Sequence, residues 1–388
     1  MNRRESLRRW LDQALAAIDA EELVYRQLAG TGGGATVFAI GKAAAAMTRG
    51  AARALGDITG ICITNTSSPT PAGVEVVIGD HPIPGPASLE AGRRALDLAG
   101  RVEGRCIALI SGGGSALCEA PLPGIEPGLI VTATRALLES GAPIEDLNLV
   151  RSHLSAIKSG GLARAIGGPV ETYVLSDVSG HDVGYVASGP TLACPRQPDR
   201  AIELMEAHGL SVDAAARASM KAPPPPTSNG PVTVIADGMT AARAVAAAAA
   251  AEAVGGKVHS DWLTGPVEMC LASLMATSGP GLTVGAGEPS VRVTGGGAGG
   301  RNTHAALLAA MRIAGTDTVF AALATDGVDG SSGAAGAIVD GATVARGRRV
   351  EQALAGFDSA GYLAKTGDLV VTGPTGTNVA DLWAIWRS

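Results

Sequence analysis

Short, wholly apolar runs alternate along this chain with alanine-rich stretches of helical spacing. Thr36–Ile40 (TVFAI) leads into GKAAAAMTRGAARAL, which reads as a strand, a tight turn and a helix. Strands are predicted over Ile58–Thr64 and Val74–Ile78, and the Pro/Gly corner HPIPGPAS then opens a helix over Leu89–Ala99. Arg105–Ile110 runs into SGGGSAL, and Glu171–Leu175 into SDVSG. Continuous apolar strands, as opposed to alternating ones, belong to sheets covered on both faces. The pattern therefore predicts an α/β fold whose N-terminal domain is doubly wound, mainly parallel and Rossmann-like. Ligands in such sheets bind beyond the carboxyl ends of the strands.

Lys221–Pro231 (KAPPPPTSNGP) reads as an extended linker, because its run of prolines favours a stiff spacer. After it the pattern restarts with VTVIA, a long helix from about Met239, and strands near Thr283, Val291, Val319 and Val370. This places one domain over residues 1–230 and a smaller α/β domain over 231–388. The N-terminal MNRRESLRRWLDQALAAI lacks an uninterrupted apolar core and reads as an amphipathic helix, not a leader.

Composition narrows the field. Glycine supplies 54 of 388 residues without a three-residue period, which excludes collagen, and 46% hydrophobic residues exclude a disordered chain. Four Trp, four Tyr and three Phe leave the cores to be built mainly from Ala, Val, Leu and Ile. Thirty Lys and Arg against 36 Asp and Glu give a net charge of −6, which argues against a nucleic-acid partner. The alanine run Ala246–Ala251 is ended by Glu252, so no membrane span is expected. Five cysteines without a CxxC pair point to reduced thiols and a cytoplasmic protein.

The chemistry gathers at strand ends. Gly41-Lys42 sits where a strand meets its helix; the lysine either reaches an anion at the helix start or is a solvated first-turn cation. Ser111-Gly112-Gly113-Gly114-Ser115 can turn backbone amides and two hydroxyls toward an anion, although it matches neither GxxxxGK[ST] nor GxGxxG. Arg151, read as preceding a helix, suits a carboxylate or phosphate clamp, and Lys158 sits just before a Gly pair. His153 reads as a structural histidine. Asp177 follows a strand, where an acid serves as base, metal ligand or turn cap. In the second domain a glycine run leads to Arg301 at a helix start, with Glu288 upstream. Asp326 and Asp329, separated by Gly-Val, suit either Mg2+ or an Asp-Gly turn. Strand LVVT is followed by GPTGTNVADL, read as a turn with an Asn cap. Cationic, glycine-rich strand ends with several acids suit phosphoryl transfer, which chiefly needs positioning and charge compensation.

The ordered segments GKAAAAM, GDHPIPG, LISGGGSAL, NLVRSHLSAIKSGGLA, LSDVSGHDVGYVASGPT, GGRN, LATDGVDGSSGAAGA and VTGPTGTNVADL run from Gly41 to Leu382. Together they resemble the class II glycerate 2-kinase family, with its N-terminal kinase domain and C-terminal MOFRL domain. Some of its members carry the name hydroxypyruvate reductase. The resemblance implies ATP-dependent phosphorylation of D-glycerate at its 2-hydroxyl, in an interdomain cleft, with Mg2+ or another divalent cation. It makes Lys42 and Arg301 the leading catalytic residues, matches Asp177 to the acid of the SDV segment, and matches Asp326 to the acid of the TDG segment. Asp177 would orient or deprotonate the acceptor, while Asp326 and Glu288 hold the metal. Ser111 to Ser115, Arg151 and Lys158 would bind phosphate or the acceptor carboxylate. The expected partners are D-glycerate and ATP, with self-association left open. The chain departs from the family pattern at Gly85, where Asp is usual, and at Thr303-His304, where Gln-Glu is usual. It departs again near His181, where an acid is common, and at Ala286 of the Gly-Gly-Glu segment. These departures motivate a second reading, a kinase for another small hydroxy acid. A hydroxypyruvate reductase would need a dinucleotide site, for which no fingerprint is present. A catalytically dead anion-binding protein is the non-enzyme alternative.

Overall fold

The computed structural model describes residues 2–180, 183–227 and 230–388. The departure at His181 therefore lies outside the described residues. The strands are β1 Ala35–Ile40, β2 Ile58–Thr64, β3 Val74–Ile78, β4 Cys106–Ile110, β5 Val170–Ser176, β6 Val232–Asp237 and β7 Gly256–Val258. They continue with β8 Leu263–Pro266, β9 Gly281–Ser290, β10 Val319–Ala324, β11 Gly336–Asp340, β12 Leu369–Val370 and β13 Asp381–Arg387.

The chain forms two compact units. One comprises Ala20–Leu175 and Gly180–Ile235; the other comprises Met1–Asp19, Ser176–Ser179 and Ala236–Ser388. The N-terminal helix Arg3–Ala17 thus belongs with the C-terminal sequence, whereas the sequence reading kept it with the first domain.

The first unit is built on a sheet of order β3-β2-β1-β4-β5-β6. Its pairings from β3 through β5 are parallel. Every residue of β4 is buried, as are the last four of β1 and β2, so the continuous apolar runs do mark strands covered on both faces. This strand order reverses direction between β1 and β4, and a crevice opens at the carboxyl ends of strands that flank such a reversal.

The second unit carries a seven-stranded mixed sheet of order β12-β11-β10-β13-β9-β7, with β8 also paired to β9. β13 lies between β9 and β10 and is antiparallel to both. Two details of the sequence reading change here. Val291 falls just beyond the end of β9 and starts no strand of its own. Asn378 caps no helix; it precedes β13, whose pairing on both sides decides its conformation. The core packs Phe320 edge-on to Trp383, with centroids 5.9 Å apart, among Leu271, Leu307, Leu363 and Ile385.

In the N-terminal helix, Leu7, Trp10, Leu11 and Ala14 are buried at i, i+3, i+4, i+7 spacing, so one face meets the protein. Trp10 packs against Trp386 with its ring tilted by 42° at 4.9 Å and donates its indole N–H to Glu252 at 3.0 Å. Arg4 forms ion pairs with buried Asp368 at 2.6 Å and with Asp340 at 2.9 Å. The five cysteines are free thiols. Among the described residues, no helix is long and apolar enough to cross a membrane.

Candidate active site

At the reversal between β1 and β4, two strand ends interlock. Gly41 and Lys42 leave β1, and Ser111 to Ser115 leave β4. The Lys42 amide donates to Gly112 O at 3.0 Å, the Ala43 amide to Ser111 Oγ at 3.1 Å, and the Ser111 amide to Ile40 O at 3.0 Å. Gly113 has φ +83°, and a β-carbon there would lie 3.0 Å from Lys42 Cγ and 3.5 Å from His81 Nε2. Only a glycine accepts that backbone while leaving room for both side chains. Lys42 and His81 therefore converge over the SGGGS turn. His81, from the HPIPG corner, was not among the expected site residues; the corner itself was the available signal.

Beyond the turn, Ser115 Oγ is hydrogen-bonded to Ser188 Oγ, which donates to Asn148 Oδ1 at 3.0 Å. Ala187, Ser188 and Gly189 have φ of 52°, 57° and 63°, three successive left-handed residues of which two carry side chains. At Ala187 and Ser188 such a conformation costs about 1–3 kcal/mol each and persists where surrounding bonds over-determine it. Here the Ser159 amide donates to Ser188 O at 2.9 Å and the Gly160 amide to Gly189 O at 2.7 Å. The SGGGS, NLVRS, KSGG and ASGP segments thus meet in one place.

Arg151 and Lys158 differ from expectation. Arg151 lies in the last turn of helix Ile144–Leu154, not before a helix, and is 6% exposed. Among the described residues its guanidinium has one long hydrogen bond, Nε to Thr134 Oγ1 at 3.4 Å. Burial pushes its pKa down to about 10, with Glu119 opposing. Lys158 does not present its charge to solvent: the ammonium is sealed in an ion pair with Glu119, both side chains wholly buried. Burial lowers the Lys158 pKa more than Glu119 restores it. Nothing local marks Glu119, 39 residues away, as its partner. His153 is structural as expected: Nδ1 donates to Leu149 O at 2.9 Å and Nε2 accepts from the Gln197 amide at 3.1 Å.

In the second unit, register sets Ala324, Asp381 and Gly287 side by side across β10, β13 and β9. Arg301, the first residue of helix Arg301–Arg312, lies over this sheet end. It grips Asp381 through Nε at 2.5 Å and Nη2 at 3.1 Å, and Glu288 through Nη1 at 2.8 Å. Burial acts against the Arg301 charge, but Asp381 and Glu288 outweigh it and its pKa rises. Burial pushes the Asp381 carboxyl up to about 6 while Arg301 pulls it down, so the pair is ionised at neutral pH. Asp381 was not among the expected site residues, although it lies inside the NVADL segment.

Asp326 is half-buried just past β10, and its Oδ1 accepts the Val328 amide at 3.0 Å. Thr375 binds Asp326 O at 3.2 Å and Thr325 O at 2.5 Å, which ties the TGPTG loop to this strand end. Asn378 Nδ2 donates to Asp177 Oδ2 at 3.4 Å. Asp329 is spent on structure: its two oxygens accept the Asn302 and Thr303 amides at 2.9 and 2.8 Å and cap the helix that begins at Arg301. A β-carbon on Gly300 would lie 2.3 Å from Asp329 Oδ1, so the glycine lets the carboxylate in.

The departures from the family pattern have structural addresses. Thr303 is buried and accepts hydrogen bonds from the Gly300 amide at 2.9 Å and Ser359 Oγ at 3.0 Å. His304 stacks on Phe357 at 5.7 Å. At Gly85, Asp80 Oδ2 takes the Ala87 and Ser88 amides at 2.9 and 3.2 Å, capping the helix where an Asp at 85 would have done so.

Among the described residues, no group of three or more His, Cys, Asp or Glu side chains is arranged to hold a metal ion. Glu288 is engaged by Arg301. Asp326 supplies a strand-end carboxylate of the kind Mg2+ takes beside substrate phosphates.

A Rossmann-ordered sheet with a lysine over a glycine-rich turn, and a second unit with an arginine held over carboxylates, define an α/β protein suited to anionic small molecules. Comparison with known proteins agrees. Residues 6–221 match the family described as domain of unknown function DUF4147, and residues 281–381 match the MOFRL family. The chain is 35% identical to D-glycerate 2-kinase of Thermotoga maritima, over 89% of this chain and 88% of that protein. The crystal structure of glycerate kinase from the same organism covers 99% of each chain with a TM-score of 0.87. A relative from Agrobacterium vitis, 34% identical over 98% of this chain and 94% of its own, carries the name "Putative hydroxypyruvate reductase". The chain belongs to the glycerate 2-kinase family.

Proposed function

We propose that this protein transfers the γ-phosphoryl group of ATP to the 2-hydroxyl of D-glycerate, giving 2-phosphoglycerate and ADP. The observation that carries this reading is Lys42 lying across the SGGGS turn at the β1–β4 reversal, in a chain of this family. The bond from the acceptor oxygen to the γ-phosphorus forms, the bond from that phosphorus to the β–γ bridging oxygen breaks, and the hydroxyl proton passes to Asp177. Lys42 and Arg301 compensate the charge of the transferring group. The Ser111 to Ser115 segment presents amides and hydroxyls to an anionic group. Asp326 would hold Mg2+, which when bound neutralises charge on the nucleotide phosphates. Glu288, which steadies the Arg301 guanidinium through one oxygen, would offer the other as a second ligand.

The strand order is shared with dinucleotide-binding sheets, which gives the reductase reading its one structural argument. The first turn, however, reads Gly41-Lys42-Ala43-Ala44, without the three-glycine fingerprint. The test is an ATP assay with D-glycerate that identifies the product. 2-Phosphoglycerate is expected, and Lys42→Ala should lower kcat by about 100- to 1000-fold at an unchanged melting temperature. Formation of 3-phosphoglycerate, NAD(P)H oxidation with hydroxypyruvate, or near-normal turnover by the variant overturns the assignment.

A further inference from the structure

The buried charges around Glu119 do not balance. Lys158 and Arg151 carry two positive charges into the interior of the first unit, and Glu119 carries one negative charge to meet them. Lys158 takes Glu119 for itself, in a pair with no exposed side-chain surface. Arg151 retains a guanidinium with five N–H donors, 6% exposure and, among the described residues, a single hydrogen bond of 3.4 Å. A cation buried this way is unfavourable unless an anion satisfies it.

Position supports the same conclusion. Arg151 lies three residues, one helical turn, after Asn148, so the two share a helix face. Asn148 accepts from Ser188, which is bonded to Ser115 of the SGGGS turn. Ser115, Ser188 and Asn148 thus form one hydrogen-bonded chain leading from the glycine-rich turn, and Arg151 lies one helical turn beyond its end.

We propose that Arg151 is the seat of the acceptor's carboxylate, and so the residue that makes the protein select an acid over a neutral alcohol. The site is short by one negative charge, which a carboxylate supplies. A phosphate dianion would overshoot and set a surplus negative charge near buried Glu119. The planar guanidinium also matches a carboxylate edge to edge through two N–H bonds, which an ammonium cannot do. The naming of the acceptor as D-glycerate rests on the function proposed above; the carboxylate site does not.

Two variants test the inference. Arg151→Gln removes the charge and keeps a planar donor; Arg151→Lys keeps the charge and loses the fork. The expected result is a rise in KM for D-glycerate of about 10- to 150-fold in the Gln variant, the worth of a lost charge-assisted hydrogen bond, with KM for ATP unchanged. The Lys variant should fall between. Calorimetric titration of D-glycerate and of inorganic phosphate, without ATP, reads binding independently of turnover. Wild type should bind D-glycerate and Arg151→Gln should lose that binding, with melting curves showing both proteins folded. If wild type binds D-glycerate through Arg151 but does not phosphorylate it, the proposed activity fails and the carboxylate site stands. Unchanged D-glycerate binding in Arg151→Gln, a rise in KM for ATP alone, or stronger Arg151-dependent binding of phosphate than of D-glycerate overturns the proposal.

Discussion

Lys158 shows how far a residue's setting can depart from its local sequence. Followed by Ser-Gly-Gly, it reads as a helix-end or ligand-facing cation, yet it is sealed against Glu119. Breaking one side of a buried pair leaves an uncompensated charge, so Glu119→Gln should cost about 3 to 5 kcal/mol in urea denaturation. Replacing both partners by apolar residues of similar volume, Glu119→Leu with Lys158→Met, should recover most of that loss. A Gln variant as stable as wild type would mean that the ammonium finds other partners. At this scale the sequence discloses which residues stand at strand ends, because Lys42, Asp177 and Asp326 each follow an apolar run directly. It does not disclose partnerships across long separations, such as Arg301 with Asp381, 80 residues apart.

Among the elements, helix Arg301–Arg312 depends on a borrowed cap. Its own N-cap is Gly300, which offers no side chain, and Asp329 reaches in from the loop after β10 to take two amides. Asp329→Ala should lower stability by about 1–2 kcal/mol, measured by chemical denaturation, with Arg301 displaced as the first turn frays. The apolar runs revealed β4 and β10, buried along their whole length, and β1 and β2, buried over their last four residues. β13 escaped because GPTGTNVADL carries turn and cap residues up to the strand's first position. Only its two neighbours, β9 and β10, settle it as a strand. Of the departures at 303 and 304, Thr303 is held by structural hydrogen bonds, while His304 stacks on Phe357 and keeps a buried Nδ1 without a partner among the described residues.

Over the whole molecule, two buried histidines link folding to acidity. Burial lowers the pKa of both His153 and His304 below the ordinary 6.5. Below that value the unfolded chain binds protons that the folded protein refuses, so this stabilisation is full above pH 6.5 and is lost as pH falls toward the lowered values. Melting temperature should drop between pH 7 and pH 5, and His153→Gln should flatten that slope even if it lowers stability at pH 7. An unaltered slope would assign the acid sensitivity to carboxylates. The two-part α/β organisation was legible from the restart of the strand–helix pattern after the proline run. The membership of the N-terminal helix was not, since an amphipathic helix declares that it has a partner without saying which. That membership, with β13 set between β9 and β10, has a consequence for the order of events in synthesis. The first unit has its strands by residue 237, and chains fold domain by domain as they emerge. The second unit has its opening helix made first and its inner strand made last: that helix can pack on Gly238–Ala251 midway through synthesis, but Trp10 gains Trp386 only once residues 381–387 are translated. Until β13 is inserted, β9 and β10 lack the strand that joins them, so the sheet of this unit closes last.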